Sequence, residues 1–158
     1  MTEDTYRVVL FGHRDFDGHR VLDETLYPLI KKLILTKPFV EIYIGRNGEF
    51  DIYAATVIKR AQKTVESYNN EFICVLPYRG KNIDFYEQYY DSVIIPECVE
   101  KAHPKWAIKK RNLWMVKQAD LFLCYIERNE GGAYTALKYA QSLKKEIINL
   151  ADNKPAKK

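Results

Sequence analysis

Val8-Val9-Leu10-Phe11-Gly12-His13-Arg14 is the stretch that decides the fold. A short, wholly apolar run bounded by a glycine fits a strand buried on both faces rather than a helix. Gly12 ends the run, and the polar pair His13-Arg14 follows at what becomes the strand's carboxyl end. The pattern recurs downstream. Val40, Ile42 and Ile44 lead into Gly45, Phe72-Ile73-Cys74-Val75-Leu76 stops at Pro77, and Ser92-Val93-Ile94-Ile95 stops at Pro96. Leu121 to Ile126 and Ile147 to Leu150 supply the last two apolar runs. Between them, Leu22, Leu26, Leu29, Ile30 and Leu33, and then Phe50, Ala54, Val57, Ile58, Ala61 and Val65, recur at helical spacing. A further helix is expected from about Lys105 to Ala119, and another from near Gly132.

Buried strands alternating with helices predict an α/β fold: a three-layer, Rossmann-like arrangement with a mostly parallel sheet of about six strands, helices on both faces and right-handed crossovers. The stretch from Tyr78 to Asp91 has no clean period, carries Tyr78, Tyr86, Tyr89 and Tyr90, and reads as a mobile or site-covering loop. With no internal repeat or linker, residues 1–151 are expected to form one domain, and 152–158 a polar flexible tail.

The chain's 158 residues suffice for one sizeable core. An apolar content of 47%, with only 7 Gly and 6 Pro, excludes a mainly disordered or collagen-like chain. No apolar run approaches the roughly 20 residues needed to cross a bilayer. The polar start, Met1-Thr2-Glu3-Asp4-Thr5-Tyr6, has no signal-peptide pattern, so a soluble cytoplasmic protein is expected. The formal charge is +4, and residues 152–158 add three Lys and one Asp to it. The body is thus near neutral, and a nucleic-acid footprint would need a local patch. Lys101, Lys105, Lys109, Lys110 and Arg111 make such a cluster, softened by Glu97 and Glu100. Cys74, Cys98 and Cys124 fit neither a zinc site nor a disulfide framework, and Cys74 and Cys124 lie in apolar runs as small hydrophobes. No metal or cofactor is expected.

Ligands of open parallel sheets bind beyond the carboxyl ends of the strands. The unusual residues fall there: Gly12-His13-Arg14, Gly45-Arg46-Asn47-Gly48, Pro77-Tyr78-Arg79-Gly80, and Glu127 through Gly132. Glycine turns followed by helix N-termini suit an anion, although each turn alone is also explained by backbone geometry. Thr135, expected in the first turn after Gly131-Gly132, either binds a phosphate oxygen or caps the helix. Asp51, one turn beyond Gly48, either binds a ribose hydroxyl or favours the helix dipole. Arg111 shares a helix face with Ala107, Ile108, Trp114 and Met115, so its guanidinium needs a carboxylate or phosphate partner. Asp51, Asp120 and a ligand all remain open. Asn112 beside it could hold a loop backbone, and His13 is a general acid, a phosphate ligand or a hydrogen-bonded loop residue. No Gly-x-Gly-x-x-Gly follows the first strand and no P-loop or Gly-x-Ser-x-Gly elbow occurs, which argues against dinucleotide oxidoreductases, P-loop NTPases and α/β-hydrolases.

In order, Phe11-Gly12-His13-Arg14, Gly45-Arg46-Asn47-Gly48-Glu49-Phe50-Asp51, Leu76-Pro77-Tyr78, Tyr90-Asp91, Arg111-Asn112-Leu113-Trp114-Met115, Asp120 and Gly131-Gly132 resemble the SLOG superfamily. That group joins the DNA-processing protein DprA/Smf with the Lonely Guy phosphoribohydrolases and small stand-alone Rossmann-like proteins. The resemblance covers residues 6–150. It implies a pocket for a nucleotide or nucleotide-derived molecule, acting as a ligand-binding or sensor module, and a homodimer or higher homo-oligomer. The phosphoribohydrolases carry Pro-Gly-Gly-x-Gly-Thr-x-x-Glu with a catalytic Glu. Here Glu130, Tyr134 and Lys138 replace the Pro, the third Gly and that Glu, while Gly131, Gly132 and Thr135 match. The implied ligand-binding residues are Gly12, His13, Arg14, Gly45, Arg46, Asn47, Gly48, Asp51, Pro77, Tyr78, Arg111, Asn112, Gly131, Gly132 and Thr135, with Tyr78 or Tyr90 stacking on the base. Two alternatives stand beside this reading. One is an N-glycoside hydrolase or transferase acting on a nucleoside monophosphate, with Glu49 or Asp51 as its catalytic carboxylate. The other is single-stranded DNA binding.

Overall fold

The computed structural model describes residues 4–153. Six parallel strands form one sheet: β1 (Thr5–Gly12), β2 (Phe39–Ile44), β3 (Asn70–Val75), β4 (Ser92–Ile94), β5 (Leu121–Tyr125) and β6 (Glu146–Asn149), in the order β4-β3-β2-β1-β5-β6. Between them run α1 (His19–Thr36), α2 (Glu49–Val65), α3 (Ile83–Tyr89), α4 (Glu97–Glu100), α5 (Pro104–Gln118) and α6 (Gly131–Ser142). This is a three-layer, Rossmann-like α/β fold.

Apart from polar residues toward their ends, such as Arg7, Glu41 and Glu71, the strands are apolar because both faces are covered, and the two-residue pleat deals their side chains to two cores. Val8, Leu10, Ile42, Ile44, Phe72, Cys74, Leu121 and Leu123 join Leu22, Leu26 and Ile30 of α1 and Phe50, Ala54 and Ile58 of α2 on one face. Val9, Phe11, Tyr43, Ile73, Val75, Phe122 and Cys124 meet Met115 and Val116 of α5 and Ala133, Ala136 and Ala140 of α6 on the other. Each fully buried aliphatic side chain contributes about 1.5–3 kcal/mol of transfer free energy. The expected burial of Cys74 and Cys124 is found, and both are free thiols.

The sheet grows outward from β1 in both directions, with β2, β3 and β4 on one side and β5 and β6 on the other, so the strand order reverses between β1 and β5. That switch point leaves a crevice beyond the strand ends. Two aspartates secure the opposite, amino-terminal edge. Asp120 Oδ2 accepts from the Arg7 N–H at 2.9 Å, and Asp91 Oδ2 accepts from the Phe72 N–H at 2.8 Å. These two conserve strand register rather than reach the site, since they cap the far ends of β1 and β3.

Two expectations change. The aperiodic stretch after Tyr78 contains α3, whose Phe85, Tyr86 and Tyr89 pack on one another and on Tyr90. Aromatic stacking, which apolar periodicity does not register, orders it. The supposed tail begins inside a 3-10 turn, Leu150–Asn153, anchored by buried Leu150; residues 154–158 lie outside the described residues. Among the described residues, no helix is long and apolar enough to cross a membrane.

Candidate functional site

The crevice at the switch point is a cavity of about 530 Å³. Three loops and one helix build it. Gly12 ends β1, and His13, Arg14 and Asp15 follow it; Gly45, Asn47 and Gly48 come from the loop after β2 and Asp51 from the start of α2. Arg128, Glu130, Gly131, Gly132 and Ala133 follow β5, and Ile108, Arg111, Asn112 and Met115 project from α5.

Close packing of backbone explains three of the glycines. A Cβ on Gly12 would lie 2.1 Å from Phe50 Cγ, and one on Gly48 would lie 2.5 Å from Arg14 Cα. That second approach lets the Glu49 N–H donate to the Arg14 carbonyl at 2.8 Å, fastening the first two loops together. A Cβ on Gly45 would sit 2.9 Å from Arg111 Nη1, so this glycine makes room for the guanidinium. Gly131 instead serves conformation, with φ +90 in the region open to glycine.

Arg111 is the centre of the site. It is 2% exposed, and its Nη1 donates to the Val75 carbonyl at 2.9 Å while its Nε donates to Asn112 Oδ1 at 2.8 Å. No ion pair among the described residues reaches it. Of the partners open from sequence, Asp120 is at the far edge of the sheet. Asp51 is near enough to act through space only, and it is already engaged as acceptor of the Asn47 N–H at 2.9 Å. Burial lowers the Arg111 pKa, with Asp51 opposing; burial likewise raises that of the Asp51 carboxyl, opposed by the Asn47 N–H and Arg111. A desolvated guanidinium on a cavity wall, satisfied by a carbonyl and an amide but by no carboxylate, has capacity left for an anion.

The surroundings set a local charge pattern. Helices α2 and α6 both start at the cavity without a side-chain cap, although the first N–H of α2, that of Glu49, is taken by the Arg14 carbonyl. Arg128 on the rim is spoken for, with Nη2 2.6 Å from Asp15 Oδ1 and Nε 3.8 Å from Glu130 Oε1. His13 is buried, and its Nε2 accepts the N–H groups of Glu127 at 3.2 Å and Arg128 at 3.1 Å. Through Nε2 it plays the hydrogen-bonded loop role, while the ring also lines the cavity.

The structure therefore brings Gly12, His13, Arg14, Gly45, Asn47, Gly48, Asp51, Arg111, Asn112, Gly131 and Gly132 to one cavity. It places six of the other sequence candidates elsewhere. Arg46 turns away into the aromatic cluster, its Nη1 donating to Tyr90 Oη at 2.9 Å and its Cζ 5.2 Å from the Tyr86 ring centroid. Pro77 and Tyr78 line a separate groove of about 290 Å³ with Ile95, Val99 and Pro104, and Tyr90 is buried against Phe72, so neither tyrosine stacks in the cavity. The Thr135 hydroxyl donates to the Gly131 carbonyl at 3.1 Å, because the helix starts earlier than its glycine pair suggested. It neither caps nor faces the cavity. Glu49 Oε2 accepts from the Phe16 N–H at 3.1 Å and lines a second cavity of about 360 Å³, on the other side of the first loop.

Sequence reasoning passed over Asp15, Ile108, Met115 and Ala133 as lining residues, and reached Arg128 and Glu130 only as part of the stretch from Glu127 to Gly132. Ile108 and Met115 were legible, being three and four residues from Arg111 on its own helix face. Asp15 carried no signal of its own, since a charged loop residue is ordinarily just solvated.

No family model matches the sequence, and comparison with curated proteins also finds no match. Solved structures do match in fold. DNA processing protein A (DprA) from Streptococcus pneumoniae superposes with a TM-score of 0.65 at 13% identity, covering 90% of this chain and 49% of that one. The molybdenum cofactor carrier protein of Chlamydomonas reinhardtii gives 0.56 at 14% identity, covering 90% and 74%. DprA from Helicobacter pylori, solved for its single-stranded DNA binding mode, gives 0.59 at 15% identity, covering 90% and 63%. The chain thus spans about half to two-thirds of the DprA chains. It shares the Rossmann-like fold of DprA and of the carrier protein.

Proposed function

We propose that this protein is a binding module for an anionic small molecule, a nucleotide or nucleotide derivative, held in the cavity at the switch point between β1 and β5. The observation that carries the reading is Arg111, a cation 2% exposed on the cavity wall with no carboxylate paired to it among the described residues. The two uncapped helix starts and the glycine-lined approaches of Gly45 and Gly48 add to it. The carboxylates Asp15, Asp51 and Glu130 leave room for neutral donors such as ribose hydroxyls or exocyclic amines. A volume of about 530 Å³ is in the range of ordinary ligand sites. The carrier protein among the structural relatives is named for a small-molecule cofactor, which agrees with a binding role.

Hydrolysis is the weaker reading. Lys138 is exposed on α6, with Nζ 6.0 Å from the Tyr134 ring centroid, and Glu49 faces the other cavity. Only Asp51, of the two carboxylates named for that role, lines the main one. For single-stranded DNA, the basic cluster is smaller than its sequence suggests, because Arg111 points inward and Lys101 pairs with Glu97 at 3.0 Å.

The test is thermal unfolding against a panel of nucleoside mono-, di- and triphosphates and cyclic dinucleotides, with products followed in parallel. A ligand at about a hundred times its Kd stabilises the folded state by about 2.7 kcal/mol. The expected outcome is a shift without turnover. No shift with any member rejects the nucleotide reading; base release lost in Asp51→Asn replaces it with the hydrolase.

A further inference from the structure

His13 is 7% exposed and lines both the main cavity and the second one. Its Nε2 accepts two backbone N–H groups, from Glu127 and Arg128. A ring nitrogen in that position carries no proton, so the proton of the neutral imidazole resides on Nδ1. No hydrogen bond among the described residues engages Nδ1. The ring therefore works at both ends: one nitrogen fastens the loop between β5 and α6, and the other holds an N–H with nothing to donate to. Arg111 is the other side chain of this wall that is more than nine-tenths buried and still has donor capacity.

We propose that His13 is a specificity-determining donor of the cavity. Neutral and fixed in its Nδ1–H tautomer, it donates to an oxyanion group of the ligand, and protonation of Nε2 releases the β5–α6 loop and weakens binding. The inference rests on the anion-binding reading of the site and adds to it a residue, a tautomer and the sign of a pH response. That sign is unusual. A histidine that serves an anion by charge binds better when acidified, because imidazolium attracts. Here the added proton would point at two N–H groups that now need an acceptor, and the loop bearing Arg128 and Glu130 loses its fastening.

The groups around the ring are consistent with a neutral imidazole. Asp15 faces it from its own loop, and Glu127, Arg128 and Glu130 from the loop after β5. Asp17, Glu49 and Tyr125 border the second cavity. Burial, followed by Arg128, lowers the His13 pKa, while Asp15, Glu127 and Glu130 act in the opposite direction.

Nitrogen-15 NMR of the full chain tests the tautomer without any ligand. The expected spectrum at neutral pH shows Nδ1 protonated and Nε2 bare, with the Glu127 and Arg128 amides shifting together as His13 titrates. Sulfate is the probe for the donor, because its charge stays constant across the range. Its affinity, read from shifts around His13 and Arg111, is expected to fall several-fold between about pH 8 and about pH 5. It should be nearly flat in His13→Gln, whose amide oxygen can accept the same N–H groups but does not titrate. An Nε2–H tautomer, tighter sulfate binding on acidification, or no sulfate-induced shift near His13 at any pH would each overturn the proposal. The tautomer is measured on the unmodified protein, so a misfolded variant does not protect the idea. A failed nucleotide panel with these results intact rejects the nucleotide and leaves His13 standing; the converse result rejects His13 alone.

Discussion

Replacing Arg111 by Met separates a cation kept for a ligand from one kept for the fold. The variant removes two hydrogen bonds from a charged donor, to the Val75 carbonyl and Asn112 Oδ1, each worth about 1.5–3 kcal/mol. It also removes the through-space attraction of Asp51, which in a partly solvated site is at most about 4 kcal/mol at contact. Against these losses stands the relief of several kcal/mol of desolvation, because the guanidinium is 2% exposed and no carboxylate among the described residues pairs with it. Met keeps most of the volume, and its neighbours on the helix face, Ala107, Ile108 and Met115, are apolar. The terms nearly cancel, so the expected change in unfolding free energy is within about 2 kcal/mol of zero, where breaking a true buried ion pair costs about 3–5 kcal/mol. Ligand binding should respond quite differently. A charge-assisted contact to an anion in a desolvated wall is worth at least about tenfold to a hundredfold in Kd, and that loss should erase the thermal shift. Urea unfolding measures the first quantity and ligand-dependent melting the second. A variant destabilised by about 4 kcal/mol or more that still shows the wild-type ligand shift refutes the reasoning, since Arg111 would then be a structural cation.

Other outcomes follow from the same geometry. Gly12→Ala drives a Cβ to within 2.1 Å of the Phe50 ring, which is fully buried, and should lower the urea midpoint by the equivalent of about 1–3 kcal/mol or more; an unchanged midpoint contradicts the packing. Arg46→Ala should leave any ligand-induced shift intact while costing about 1–2 kcal/mol of stability, because its guanidinium serves the Phe85, Tyr86, Tyr89 and Tyr90 cluster. Loss of the ligand shift without loss of stability would return Arg46 to the cavity. Burial pushes the thiols of Cys74 and Cys124 up to about 12, whereas Cys98 is exposed, so a thiol reagent should titrate one cysteine in the native protein and three in denaturant. Lowering the pH should also destabilise the fold through His13. Its pKa is lower folded than unfolded, so its contribution is complete above the unfolded value and is lost as acidification charges the unfolded chain first. In His13→Gln the slope of unfolding free energy with pH across that window should diminish, and an identical slope would show that His13 titrates equally in both states.

The sequence by itself determined the layers. Strands too short and too apolar for surface elements, each followed by a helix of period 3.6, admit few arrangements other than a parallel sheet covered on both sides, and the two cores divide the strand residues by simple alternation. It also marked Arg111 as a cation in search of a partner, because a charge on an apolar helix face is costly wherever the helix packs. Tertiary structure alone decided what that partner could be and which loop residues share the cavity. Neighbours on one loop, Gly45 and Arg46, part company because a cluster of aromatic rings from α3 draws the guanidinium aside. Glu49 and Asp51, two residues apart at the start of α2, face different cavities. The tautomer of His13 depends on amides more than a hundred positions away, which only the pairing of β1 with β5 brings into reach. Periodicity reports which side of an element is buried, whereas the direction of a polar side chain at an element's end is set by partners distant in the chain.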